Sequence, residues 1–246
     1  MDAERFHEHY RLQASWLAPS RRYLFRKAGV AGRRRILDLG CGSGVIAEEL
    51  RLASGRPVLA VDRDPEMTEL ARRLYPGNEY LAGDERRLLR QGRRFDLVVI
   101  SFVLLWQRRP LPFLKRLRGL LDEGGALLVL AEPDYGCRVD QPDGLAFLGG
   151  IFAGHIRRQG GDPCVGRRLA SLLRRAGFRA QVELASFLDF PRPETNGDWE
   201  REWRFWKDLA GFSEATLRRI LRREKSAIAR HERMVLFPVF CALARP

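Results

Sequence analysis

Cysteine, histidine and lysine are all scarce in this chain. The four cysteines, Cys41, Cys137, Cys164 and Cys241, include no CxxC pair, and none has a histidine at ligand spacing. With only four histidines (His7, His9, His155, His231) beside them, neither a structural zinc site nor a disulfide framework is indicated. Reduced, buried thiols and no metal are the expectation. Long apolar runs are missing too. The longest nearly apolar run, Leu97 to Trp106, falls far short of the ~20 residues that a membrane span needs. The first five residues already carry charge, and no apolar stretch of signal-peptide type follows, so a cytoplasmic location is expected. Internal repeats and low-complexity segments are absent.

What is present suits one large domain of 246 residues. A hydrophobic share of 45% excludes a disordered or collagen-like chain and provides for a real core. The formal net charge is +13, a balance that can signal a nucleic-acid partner. Only four of the 44 basic residues are lysine, and the arginines are spread evenly from Arg5 to Arg245. A GC-rich coding bias gives the same even excess and is the slightly preferred reading.

The first thirty residues read as helix. Phe6, Tyr10, Ala14 and Leu17 share one face, Pro19 and Ser20 restart a second helix, and Gly29 can end it. Apolar runs then alternate with amphipathic stretches: strands at Arg35–Leu39, Pro57–Val61, Glu79–Ala82, Phe95–Phe102 and Ala126–Ala131, with helices between them at about 45–53, Pro65–Leu74 and Leu111–Leu121. Phe95–Phe102 is apolar nearly throughout, as in a parallel strand buried on both faces. Such alternation predicts an open α/β sheet with right-handed crossovers. A further helix is expected near Leu145–Arg158, another at Val165–Ala176, then strands Phe178–Phe187 and Met234–Leu243. Two stretches, 133–164 and 191–233, interrupt the alternation. The second has helical periodicity, with Trp199, Trp203, Trp206 and Ala210 on one face and Ser213 as a helix cap.

The chemistry is concentrated in Ile36-Leu37-Asp38-Leu39-Gly40-Cys41-Gly42-Ser43-Gly44, where a buried strand runs into a glycine turn and then a helix. The dinucleotide fingerprint GxGxxG fails here, because its third glycine would fall at Val45. An acid at Asp38, inside the strand end, is also awkward for a diphosphate.

The stretch resembles motif I of the class I S-adenosylmethionine-dependent methyltransferases, and the other motifs of that family follow in order. Asp62, ending Ala60-Val61-Asp62, resembles the acid that binds the ribose hydroxyls. Asp84, in Ala82-Gly83-Asp84, resembles the residue that receives the adenine amine. Phe95 to Ser101 resembles motif IV, and Leu117 to Leu130 the later helix and strand. The likeness covers roughly residues 30 to 190. It implies a Rossmann-like α/β fold: seven strands, mostly parallel, the last antiparallel, with helices on both faces. Within one domain it implies an N-terminal helical cap (1–30), a cofactor core (31–132) and insertions 133–164 and 191–233 that form a lid with the cap. It implies S-adenosyl-L-methionine as cofactor. The residues at its site would be Asp38 near the methionyl ammonium, Gly40, Cys41, Gly42, Gly44, Asp62, Arg63, Gly83, Asp84 and Ser101, with Tyr10 reaching over from the cap. Taken singly, each aspartate is equally a turn or cap residue and Tyr10 a helix-packing one; their joint order carries the reading.

The resemblance leaves the methyl acceptor open. Motif IV continues as Ser101-Phe102-Val103-Leu104, without the Asn/Asp-Pro-Pro-Tyr/Phe of exocyclic-amine enzymes or the Pro-Cys of cytosine C5 enzymes. A small molecule or a peptide side chain, methylated on O or N, is the expected acceptor; tRNA or rRNA is the alternative, and a non-catalytic cofactor-binding scaffold the third. Trp106, Trp199, Trp203 and Trp206 suit a closed pocket, or equally a plain core or a dimer contact. If a general base is used, Glu132, at the end of the fifth strand, and His155 are the preferred candidates, with Asp134 beside Glu132 a third. Capping, salt-bridging or packing roles are the alternatives for all three.

Overall fold

The strand expected at Phe95–Phe102 forms as Phe95–Ser101 and sits at the centre of a seven-stranded sheet in the computed structural model, which describes residues 3–192 and 196–246. Residues 193–195 of the second expected insertion lie outside the described residues. In chain order the strands of this sheet are β1 (Ile36–Leu39), β2 (Leu59–Asp62), β3 (Glu79–Ala82), β4 (Phe95–Ser101), β5 (Leu121–Pro133), β7 (Arg179–Leu184) and β10 (Val239–Arg245). A second, three-stranded sheet holds β6 (Val139–Gln141), β8 (Phe187–Asp189) and β9 (Met234–Phe237). The ten α-helices among the described residues are α1 (Ala3–Trp16), α2 (Ala18–Ala28), α3 (Val45–Ser54), α4 (Pro65–Leu74), α5 (Glu85–Arg90), α6 (Pro110–Arg118), α7 (Leu148–Arg158), α8 (Leu169–Arg175), α9 (Asn196–Ala210) and α10 (Glu214–Ala229).

The large sheet has the order β3-β2-β1-β4-β5-β10-β7. Strands β1 to β5 pair in parallel, while β10 runs antiparallel to both β5 and β7. Both faces are covered. Along β4, Val98 and Ile100 belong to one core, with Phe113, Leu114 and Leu117 of α6. Leu97 and Val99 belong to the other, with Leu24 and Phe25 of α2 and Leu50 of α3. A strand apolar on successive residues is what two-sided burial requires. Because β1 pairs with both β2 and β4, the sheet order reverses there, and a crevice opens beyond the carboxyl ends of these strands.

Local signals set the helix ends. Asp64 caps α4 by accepting from the N–H groups of Glu66 and Met67, with Pro65 opening the first turn. Gly29 ends α2 in the left-handed conformation at φ +65°. Ser213 accepts from Thr216 N at the start of α10.

Two expected strands are divided in the structure. Met234–Leu243 is interrupted at Pro238, which has no N–H for a ladder, and its halves β9 and β10 join different sheets. Phe178–Phe187 likewise ends as β7 at Leu184, and Phe187 begins β8 in the small sheet. The helix expected over Val165–Ala176 begins with a 3-10 turn, Val165–Arg168, and that near Leu145–Arg158 starts at Leu148. Strand β5 is longer than its apolar run and takes in Gly124 and Gly125; its pairing with β4 shifts register before Ala126.

The small sheet joins the first inserted stretch to the strands that flank the second, since β9 pairs with β6 on one side and β8 on the other. Beneath it Arg233 is buried between Asp140 (2.8 Å) and Glu224 (2.6 Å), and Arg138 holds Asp140 at 2.7 Å. Buried charges persist only when paired in this way. No helix among the described residues is long and apolar enough to cross a membrane.

Candidate active site

Beyond the ends of β1, β2 and β4 lies a cavity of about 390 Å³. Its polar floor is built by the glycine turn. Gly40, Gly42 and Gly44 have φ of +78°, +50° and +82°, which brings the chain from β1 into α3 in five residues. Asp62, at the end of β2, accepts the N–H of Gly42 at 2.8 Å and that of Asp64 at 3.0 Å, so its carboxylate fastens the turn to the neighbouring strand. Asp84 accepts from the N–H groups of Arg86 and Arg87 through one oxygen, capping α5. Both carboxylates border the cavity, as do Gly40, Cys41, Gly42, Arg63, Gly83 and Ser101. Asp84 is therefore a cap and a cavity residue at once; the two readings of it are compatible.

Asp38 is 1% exposed, and its Oδ2 is the one buried side-chain oxygen or nitrogen among the described residues that has no hydrogen-bond partner. Burial, with the Asp62 carboxylate nearby, pushes its pKa up to about 7 against the opposing Ala47 amide. An orphaned carboxylate oxygen bordering a cavity calls for a cationic or N–H-bearing ligand group.

Helix α1 closes one side. The Tyr10 ring lies directly on the turn: a Cβ added at Gly42 would stand 2.7 Å from Tyr10 Cε2. Burial and the nearby Asp62 and Asp64 raise the Tyr10 pKa well above that of a free phenol. His7 Nδ1 and Ser43 Oγ share a hydrogen bond of 2.8 Å, a second tie from α1 to the turn. The rest of the wall is apolar and aromatic, with Phe6, Phe102, Trp106, Tyr135, Phe205 and Trp206.

Ten of the thirteen expected site residues thus gather at one cavity. Gly44 caps α3 instead, and its missing side chain leaves room for Tyr80 and Ala71. The two candidate bases lie elsewhere. Glu132 is fully buried, and its carboxylate accepts from the N–H groups of Val103 (3.1 Å), Leu104 (2.9 Å) and Leu105 (3.1 Å). Burial pushes its pKa up to about 8 while those three amides oppose the shift. It grips the loop after β4, where Phe102 takes the left-handed φ of +55° unusual for a non-glycine residue. His155 is 5% exposed, edge-on to Trp106 and Trp206, with its pKa lowered by burial and by Arg158. Asp134 is held by Arg167 at 2.5 Å and caps a short turn. The tryptophan stripe divides: Trp206 borders the cavity, whereas Trp203 and Trp199 are core.

The sequence reading missed His9, Gln13, Arg21 and Gln107, which also border the cavity. His9 and Gln13 are one turn apart on α1, beside the apolar stripe through Phe6 and Tyr10. A wider inward arc on that helix would have included them.

Comparison with known proteins agrees with this geometry. Residues 37–129 match the family described as "Methyltransferase domain". A demethylmenaquinone methyltransferase of Renibacterium salmoninarum is 30% identical over 118 residues, which cover 47% of this chain and about half (49%) of that protein. Among solved structures, a Bacillus halodurans protein described as a candidate methyltransferase superposes with a TM-score of 0.61 at 16% identity, covering 92% of this chain and 98% of that one. A phosphoethanolamine N-methyltransferase of Haemonchus contortus, solved with S-adenosylhomocysteine and phosphomonomethylethanolamine, gives 0.53 at 17% identity, covering 87% and 49%. With the sheet order, the glycine turn, the strand-end acids and the unpartnered Asp38 oxygen in agreement, residues 37–129 carry a methyltransferase domain within a chain that has the Rossmann-like fold of the class I S-adenosylmethionine-dependent methyltransferases.

Proposed function

We propose that this protein transfers a methyl group from S-adenosylmethionine to an oxygen or nitrogen of a small molecule with an apolar, aromatic body, and that it does so in the cytoplasm. The supporting observation is the division of one cavity into two chemistries. Asp38, Asp62 and Asp84 offer acceptors for an ammonium, a ribose diol and an adenine amine. The aromatic wall from α1, α9 and the loop after β4 offers a surface for an acceptor ring. The bound cofactor supplies a methyl carbon already activated by its sulfonium. The protein's task is then to hold the acceptor in line and exclude water. The names of the demethylmenaquinone and phosphoethanolamine enzymes favour a small acceptor over a polymer. Closure by α1 and α9 as a lid, together with the insertions, is part of the same proposal.

The test has two stages. S-adenosylhomocysteine should raise the melting temperature while NADH leaves it unchanged; the reverse result defeats the cofactor assignment. Labelled cofactor should then be offered to metabolite extract and to RNA side by side. Label in an organic-soluble product supports the proposal. Label in RNA with steep salt dependence would transfer it to an RNA enzyme, and binding without any product would leave a scaffold.

A further inference from the structure

Glu202, on α9, is buried and takes part in two hydrogen bonds. Trp206 Nε1–H donates to its Oε1 at 2.7 Å, and His9 Nδ1, on α1, lies 2.8 Å from its Oε2. An ionised carboxylate is an acceptor only. With Glu202 as the acceptor, His9 presents Nδ1–H to it, and a neutral imidazole in that tautomer carries its lone pair on Nε2. That nitrogen makes no hydrogen bond among the described residues. The ring is fixed from the side as well: it stacks flat on Phe205 at 4.2 Å and 9°, and edge-on to Trp206 at 5.9 Å. His9, Phe205 and Trp206 all border the main cavity.

The other titratable side chains at that cavity are otherwise engaged. Asp38, Asp62 and Asp84 face the cofactor in the reading above. Glu85 is paired with Arg116 at 2.7 Å, and Arg21 with Glu49 at 2.6 Å. Tyr10, Tyr135 and Cys41 are held protonated by burial, and Arg63 is a cation. Histidine is the residue type suited to accept a proton near neutrality.

Resting on the proposed methyl transfer, we infer that His9 is the general base of this site, that Glu202 is its positioning residue, and that the acceptor group is a hydroxyl of an aromatic ring. The hydroxyl proton goes to His9 Nε2 as the acceptor oxygen forms its new bond to the methyl carbon. The electron pair of the broken carbon–sulfur bond stays on sulfur, and the Glu202 carboxylate offsets the imidazolium. A neutral amine attacks through its own lone pair and needs no such base beforehand, which makes the hydroxyl the more specific assignment.

The experiment uses the full chain, with tritiated S-adenosylmethionine and two hydroxyl acceptors, 1,4-dihydroxynaphthalene under argon and catechol, beside 1-naphthylamine. His9→Gln should lower kcat for a hydroxyl acceptor by ~100-fold with the S-adenosylhomocysteine Kd unchanged. Glu202→Gln, whose amide has one acceptor oxygen for two donors, should lower it by at least ~10-fold. The exposed Glu8→Gln on the same helix should match the parent. Nitrogen-15 imidazole spectra give a readout that needs no acceptor: at neutral pH His9 should be the Nδ1–H tautomer, and Glu202→Gln should shift that balance. An Nε2–H tautomer, or a His9→Gln variant as active as the parent, overturns the inference. So does labelling of the amine alone, or of no member of the panel; if S-adenosylhomocysteine still binds, the methyltransferase reading survives that failure. Loss of S-adenosylhomocysteine binding by the parent protein would defeat both.

Discussion

Asp62 and Gly42 are joined by a 2.8 Å hydrogen bond from the glycine N–H to the carboxylate Oδ2, so the acid that borders the cavity also holds the turn in shape. Each carboxylate oxygen has a further lone pair, which leaves capacity for a diol. Asp62→Ala should weaken S-adenosylhomocysteine at least ~10-fold by calorimetry, the equivalent of about one charged hydrogen bond. Asp62→Asn keeps an acceptor for Gly42 and should lose less. An unchanged Kd for the alanine variant would remove Asp62 from the site.

The raised pKa of Asp38 makes a prediction about pH. Its folded value is about 7, against an ordinary value of 3.8, so between these limits the folded protein binds more protons than the unfolded one. The stability that Asp38 contributes is therefore lost as pH rises from about 4 to about 7, and is level above that. Asp38→Asn should flatten this part of the ligand-free stability curve, measured by urea unfolding at several pH values. Binding of an ammonium-bearing cofactor needs the carboxylate. Calorimetry near pH 6 in buffers of different ionisation enthalpy should therefore detect proton release that Asp38→Asn abolishes.

Glu132 separates a structural role from a catalytic one. Glu132→Ala strands three buried N–H groups, at roughly 1 kcal/mol or more each, and should lower unfolding stability by about 3 kcal/mol. Were Glu132 a base instead, Glu132→Gln would fold normally and be inactive at every pH.

The contact between Tyr10 and Gly42 can be tested by a double-mutant cycle. Gly42→Ala places a methyl 2.7 Å from the ring at a residue with φ +50°, and should weaken cofactor binding and lower Tm. Adding Tyr10→Ala should recover part of the loss, and the left-handed backbone cost of about 1–2 kcal/mol should remain. Simple additivity would mean that the ring and the turn do not press on one another.

The parallel core was legible because its signals are local. Pro65–Leu74 and Glu79–Ala82 fall at the expected residues, since a capped helix and a short apolar run each have their cause within a few positions. The acids at 38, 62 and 84 were singled out by the resemblance of their motifs, and all three border the cavity. Glu132 and His155 were candidates by position along the chain, yet the direction of their side chains is decided by distant partners: the amides of 103–105 for one, Trp106 and Trp206 for the other. His9 was overlooked for the complementary reason. Its partner Glu202 is 193 positions away, and no local pattern joins a histidine of the first helix to a glutamate of the ninth. The second sheet escaped notice because three of its strand edges meet only after two long insertions fold back.

Pro238 lets one continuous segment serve two sheets, with β10 inserted in the floor of the molecule and β9 in the structure built by the insertions. The join is stiff, because the proline ring fixes its own φ and the Pro238 carbonyl accepts from Asp134 N at 2.9 Å, close to the carboxyl end of β5. The small sheet is thereby anchored to the same strands that end at the cavity, and a substitution that frees residue 238 from this bond would loosen both sheets together.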